Sequence, residues 1–126
     1  MTNEKNANTV FKQRWTKEVA DRGYFMKPKC LVHCAADLGL KPTEALVLDY
    51  LFMYWYDYSQ ERSIFPAHKT IANALGLGQS TIARHLCDLD AKGFLERELR
   101  IGNSNIYHLE PTLELIRSHV VSRHPP

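Results

Sequence analysis

Pro66-Ala67-His68-Lys69-Thr70-Ile71-Ala72-Asn73-Ala74-Leu75-Gly76-Leu77-Gly78-Gln79-Ser80-Thr81-Ile82-Ala83-Arg84-His85-Leu86-Cys87-Asp88-Leu89-Asp90-Ala91-Lys92-Gly93 is the stretch that decides the fold. It reads as two short helices joined by a tight turn. Ile71, Ala72 and Leu75 form one apolar stripe that ends at Gly76, where a helix C-terminus favours a left-handed residue. Leu77 is the apolar plug of the turn. The second helix starts at about Gly78 and repeats apolar side chains at Ile82, Leu86 and Leu89. Gln79, Ser80, Thr81, Ala83, Arg84 and Asp88 are left on a short polar outer face. An ordinary helical hairpin of a bundle is the competing reading of the pair.

With small Ala72 at the crossing, glycine in the turn and Gln79-Ser80-Thr81 opening the second helix, the pair resembles the DNA-binding helix-turn-helix. Ala72, Gly76, Leu77, Ile82 and Leu86 fit that pattern without a gap. Gly78 departs from it, standing where the family often has a capping serine. The resulting cap is weaker by roughly a few tenths of a kcal/mol.

Downstream, Phe94 to Arg100 and Asn105 to Leu109 are strand-like runs separated by Ile101-Gly102-Asn103-Ser104, whose turn formers predict a β-hairpin. A helix-turn-helix running through Leu89, Lys92, Gly93, Phe94 and Leu95 into a hairpin resembles the winged-helix family, over residues 42–110. The fold class expected is therefore mainly α with a small β-hairpin, a winged helix-turn-helix with additional N- and C-terminal helices. The C-terminal helix is expected from Pro111 to His119, with Leu113, Ile116 and Val120 on one stripe, before a frayed end.

Upstream, Pro42-Thr43-Glu44 opens the longest helix, to about Tyr58. From Leu46 to Trp55 it is apolar nearly all round, broken at Asp49, which predicts burial on more than one side. Asn8 to Arg22 carries Phe11, Trp15 and Val19 at helical spacing and predicts an amphipathic helix. Tyr24 to Lys27 reads as a short strand closed by Pro28, Lys29 to Leu38 as a short helix, and Ile64-Phe65 as a further short strand. This order, with Leu38-Gly39-Leu40-Lys41-Pro42-Thr43-Glu44 and Ile64-Phe65-Pro66, is more loosely similar to winged-helix proteins of plasmid and phage replication initiators and regulators. The expected division is a basic amphipathic arm over 1–23, the winged-helix domain over 24–110, and a terminal helix and tail over 111–126.

A chain of 126 residues with 44% apolar composition suits one core. Nothing approaches the roughly 20 apolar residues of a membrane span, and the polar start lacks a signal-peptide core, so a cytoplasmic protein is expected. A formal charge of +2 does not by itself indicate nucleic acid, but the first 29 residues hold seven Lys and Arg against three acids. Cys30, His33 and Cys34 share a helix face, with His85 and Cys87 farther on. Without a Cys-x-x-Cys or His-x-x-x-His pair they read as buried reduced thiols rather than a metal site. Neither a phosphate loop, a nucleophile elbow nor a His-Glu-x-x-His pattern appears, so no catalytic residue and no cofactor is expected.

The winged-helix resemblance implies double-stranded DNA as partner. Gln79 then pairs with adenine and Arg84 with guanine, Ser80 and Thr81 take phosphate or base, and Ala83 meets a thymine methyl. His68, Lys69 and Thr70 hold a phosphate at a helix N-terminus. Arg97 and Arg100, with Asn103 and Asn105 at the wing tip, reach the minor groove or backbone. The limited area of one domain favours a homodimer on two half-sites. No small-molecule ligand and no membrane is implied. A small transcriptional regulator, a repressor, is the function expected. A plasmid or phage replication or DNA-transfer accessory protein is the alternative, and a winged helix used for protein–protein contact is the alternative of another class.

Overall fold

The computed structural model describes residues 7–57, 66–99, 102 and 105–123. In chain order the elements are α1 (Ala7–Ala20), α2 (Lys29–His33), α3 (Pro42–Asp57), α4 (His68–Leu75), α5 (Gln79–Ala91), β1 (Glu96–Glu98), β2 (Ile106–His108) and α6 (Glu110–Arg123). The two strands pair antiparallel, with Glu96 opposite His108 and Glu98 opposite Ile106. The fold is thus mainly helical with a small hairpin.

The core is built where the apolar periodicities of α3, α4 and α5 meet. Val47, Leu48 and Leu51 of α3 face Ile71 and Ala72 of α4 and Ile82, Leu86 and Leu89 of α5, all nearly solvent-free. Phe94, Leu95, Tyr107 and Leu109 close the cluster from the hairpin side, and Ile116 joins it from α6. Burying each such side chain contributes roughly 1.5–3 kcal/mol, which fixes the crossing of α4 and α5 without help from their caps. Asp49, the polar break in α3, is held by Lys27 at 2.9 Å. Phe52 and Trp55 carry α3's second apolar side toward α2 and α6, where an apolar cavity of about 400 Å³ remains. No helix among the described residues is long and apolar enough to cross a membrane.

Three local expectations are corrected. Helix α1 is interrupted at Thr16, whose φ of 75° and ψ of 160° are non-helical. The Phe11–Trp15–Val19 face is broken there, leaving Trp15 58% and Val19 44% exposed, while Phe11 stacks on Tyr24 at a centroid distance of 4.0 Å. Tyr24 to Lys27 does not form a strand: among the described residues the sheet consists of β1 and β2 alone. In α6 the inward residue is Thr112 rather than Leu113, because the Thr112 hydroxyl donates to the Phe94 carbonyl and so becomes compatible with burial. The Ile64-Phe65 strand and the end of α3 at Tyr58 lie outside the described residues.

At the turn between α4 and α5, Gly76 adopts φ 70° and ψ 33°, and the Gly76 and Leu77 N–H groups both donate to the Ala72 carbonyl. Gly78 is the N-cap of α5 at φ −76° and ψ 155°, an extended geometry open to any residue, and it offers no side-chain cap. A Cβ built there meets only Thr81 Oγ1, at 3.9 Å. Gly78→Ser is therefore expected to raise stability by about 0.3 kcal/mol, read as a small upward shift of the urea midpoint at constant slope.

Candidate nucleic-acid interface

Three elements converge on one open groove of about 520 Å³: the entry to α4 (Pro66, Ala67, His68, Lys69), the first residue of α5 (Gln79), and the hairpin (Gly102, Asn105, Tyr107). Their placement follows from the core. Ile71 and Ala72 pull one face of α4 inward, Ile82, Leu86 and Leu89 do the same for α5, and the opposite faces are turned out together.

On α5, Gln79, Ser80 and Arg84 are exposed, whereas Thr81, Ala83 and Asp88 are half-buried. Arg84 makes no hydrogen bond or ion pair among the described residues, so its guanidinium is available to a ligand. His85 points inward at 7% exposure, its Nε2 2.9 Å from Thr43 Oγ1. On α4, Lys69 and Thr70 are exposed and His68 is half-buried. Neither α4 nor α5 receives a side-chain cap at its N-terminus, with Ala67 and Gly78 in the cap positions. Free N–H groups at a helix start, with the positive end of the helix dipole, suit an anionic oxygen.

The hairpin is held to this helix pair by two contacts that the sequence did not disclose. Tyr107, 3% exposed on β2, brings its hydroxyl to 3.4 Å from His68 Nε2. Burial pushes the Tyr107 hydroxyl above its ordinary value, with a hydrogen bond to Asn105 and the charge of Arg97 pulling the other way, so the group is a neutral donor at physiological pH. Arg97 does not reach the groove. Its Nε donates to Asp90 Oδ2 at 3.0 Å and its Nη1 to Cys87 Sγ at 3.4 Å, which fastens β1 to the last turns of α5. The Asp90 hydrogen bond raises the guanidinium further above its already high value. Asn105 lines the groove, while Arg100 and Asn103 lie outside the described residues.

Cys30 and Cys34 are half-buried thiols that belong to no converging ligand set among the described residues, and His33 is exposed. A different trio, Glu44, His85 and Asp88, does converge. Glu44 is fully buried in the first turn of α3, where its Oε1 accepts from Lys92 Nζ at 2.6 Å and the Lys41 N–H at 2.9 Å. Burial alone would raise its carboxyl. The Lys92 and Lys41 hydrogen bonds, with the charges of Lys92 and His85, outweigh that and hold it below the usual carboxylate value.

A helix pair with a glycine turn, an outward polar second helix and a hairpin packed directly behind it is a winged helix-turn-helix. In sequence, residues 38–95 match the model of the helix-turn-helix domain family. In structure, the chain is similar to the N-terminal domain of the DnaD protein from Geobacillus kaustophilus HTA426, with a TM-score of 0.66 and 21% identity over 87% of this chain and 91% of that one. At that identity the likeness establishes the fold. No curated protein matches the sequence significantly.

Proposed function

We propose that this protein binds double-stranded DNA sequence-specifically, with the N-terminal half of α5 in the major groove. The observation that carries the reading is the single groove shared by the α4 entry, Gln79 and the hairpin, within a chain that matches the helix-turn-helix family. Gln79 and Arg84 take base edges, adenine and guanine respectively, because a side-chain amide and a guanidinium match those edges with two hydrogen bonds each. Ser80 and Thr81 take phosphate or base, and half-buried Ala83 offers its methyl to thymine. Lys69, Thr70 and His68, beside the uncapped start of α4, take a phosphate. Asn105 follows the backbone from the hairpin.

A homodimer on two half-sites is part of the proposal. It is supported by apolar surface away from the groove: Met26 is 63% and Leu113 45% exposed around the cavity between α2, α3 and α6. The role proposed is that of a small cytoplasmic transcriptional repressor. Recovery of bound fragments from the source genome tests it: a site in the protein's own promoter supports repression, and a site in a replication origin supports the replication or DNA-transfer role instead.

The binding claim is tested by fluorescence anisotropy with labelled duplexes over a salt series. A steep fall in affinity is expected as counterions released by Lys and Arg contacts are restored, and a flat response contradicts it. Lys69→Ala is expected to weaken specific and scrambled duplexes alike and to reduce the salt slope by about one unit, as the loss of one phosphate contact requires.

A further inference from the structure

Glu44 on α3 and His85 and Asp88 on α5 each present a ligand atom within 4.8 Å of the other two. His85 and Asp88 are three residues apart, which puts them on one helix face. The side chain of Glu44 is 0% exposed and His85 is 7% exposed. Even so, Glu44 Oε2 and His85 Nδ1 have no hydrogen-bond partner. Buried polar atoms are normally satisfied, so two orphans beside the Asp88 carboxylate require an explanation.

The surroundings are those of a ligand set. Lys92 Nζ and the Lys41 N–H both engage Glu44 Oε1, leaving Oε2 as the carboxylate atom without a partner. The Thr43 hydroxyl, 2.9 Å from His85 Nε2, accepts that N–H in the tautomer whose Nδ1 lone pair is free. A partner on the second ring nitrogen of this kind is the usual support of a metal-binding histidine.

We propose that Glu44 Oε2, His85 Nδ1 and a carboxylate oxygen of Asp88 bind one divalent transition cation of the zinc type, with water completing the coordination. One imidazole and two carboxylates suit zinc or cobalt, and two carboxylates balance the charge of the ion. Magnesium and calcium, which prefer all-oxygen shells, match less well. The Lys92 ammonium on the neighbouring oxygen opposes the ion, so micromolar rather than nanomolar affinity is expected. A bound ion would cross-link the start of α3 to the middle of α5 and stabilise the folded state by mass action. The inference does not depend on how α5 meets DNA.

The test uses the untagged full chain, stripped with chelator and titrated with Zn²⁺ by calorimetry and with Co²⁺ by visible absorption. One ion per chain, a thermal midpoint that rises with Zn²⁺, and a perturbed His85 Nδ1 resonance are expected. Asp88 is half-buried, so Asp88→Asn should fold, and it is expected to bind at least about tenfold more weakly, a loss in the range seen even for outer-shell partners. The Cys30→Ser, Cys34→Ser double variant is expected to bind like the parent. Absence of stoichiometric binding, as for a gap filled by a water only, overturns the proposal. So does binding that survives Asp88→Asn and vanishes in the cysteine variant.

Discussion

Lys92→Met is expected to lower the unfolding free energy by about 2–3 kcal/mol at neutral pH, just under the range for breaking a buried ion pair. The effect is large because the partner, Glu44, is fully buried, and it falls below that range because Lys92 retains 28% side-chain exposure. Lys92 Nζ also donates to the Gly39 carbonyl at 2.7 Å, so one side chain ties the end of α5 to the turn before α3. The pH dependence identifies the cause. In the parent, the Glu44 pKa is lowered on folding, so its contribution is complete above the ordinary carboxylate value of 4.5 and is lost as pH falls below it. In the variant, burial without a counter-charge raises that pKa, and protonation in mild acid relieves the penalty. Urea denaturation from pH 7 down to pH 4, ~3 units spanning the carboxylate range, should show the two stabilities converging. A gap that stays constant with pH would assign the loss to packing and the Gly39 contact instead.

The second large effect concerns recognition. Arg84→Ala is expected to cost about 1–3 kcal/mol at the preferred duplex and to relax preference at one base position, as the loss of a paired guanidinium–guanine contact requires. Because Arg84 is exposed and unpaired among the described residues, its removal should alter stability by no more than about 0.5 kcal/mol. Arg97→Ala is the informative contrast. Its guanidinium is spent on Asp90 and Cys87, so truncation should loosen the hairpin before it changes base preference. Competition binding with preferred and scrambled duplexes distinguishes the cases. An Arg84→Ala variant that loses the same factor on both would place that residue at phosphate, not base.

What was legible in the sequence was what repeats. The stripes Ile71–Ala72–Leu75 and Ile82–Leu86–Leu89, the αL glycine between them and the apolar run of α3 each specify local geometry through neighbours a few residues away, and the structure forms all of them. The passage Lys92-Gly93-Phe94-Leu95 was legible as a family mark without its reason. The structure supplies the reason: Lys92 closes a buried pair with Glu44, 48 residues earlier, and Phe94 is wholly buried. Partnerships of that span leave no periodic trace. Thr43 with His85 and Tyr107 with His68 are hidden on this ground, 42 and 39 residues apart, and although Asp90 and Arg97 are only seven residues apart, their pairing follows from the turn between α5 and β1 and not from a periodic pattern. The strand expected at Tyr24 to Lys27 failed for a related reason, since β propensity describes a residue's fitness for a sheet and not the presence of a neighbouring edge.

The central claim is that the outward face of α5, with the α4 entry and the hairpin, is the surface that meets DNA. It is tested most directly by titrating the ¹⁵N-labelled chain with a duplex selected from a random pool and following the amide resonances. The account predicts that Lys69, Thr70, Gln79, Ser80, Arg84, Gly102 and Asn105 shift together and saturate at one stoichiometry. Shifts confined to Phe25, Trp55, Leu113 and their neighbours around the apolar cavity, with α5 unmoved, would contradict it.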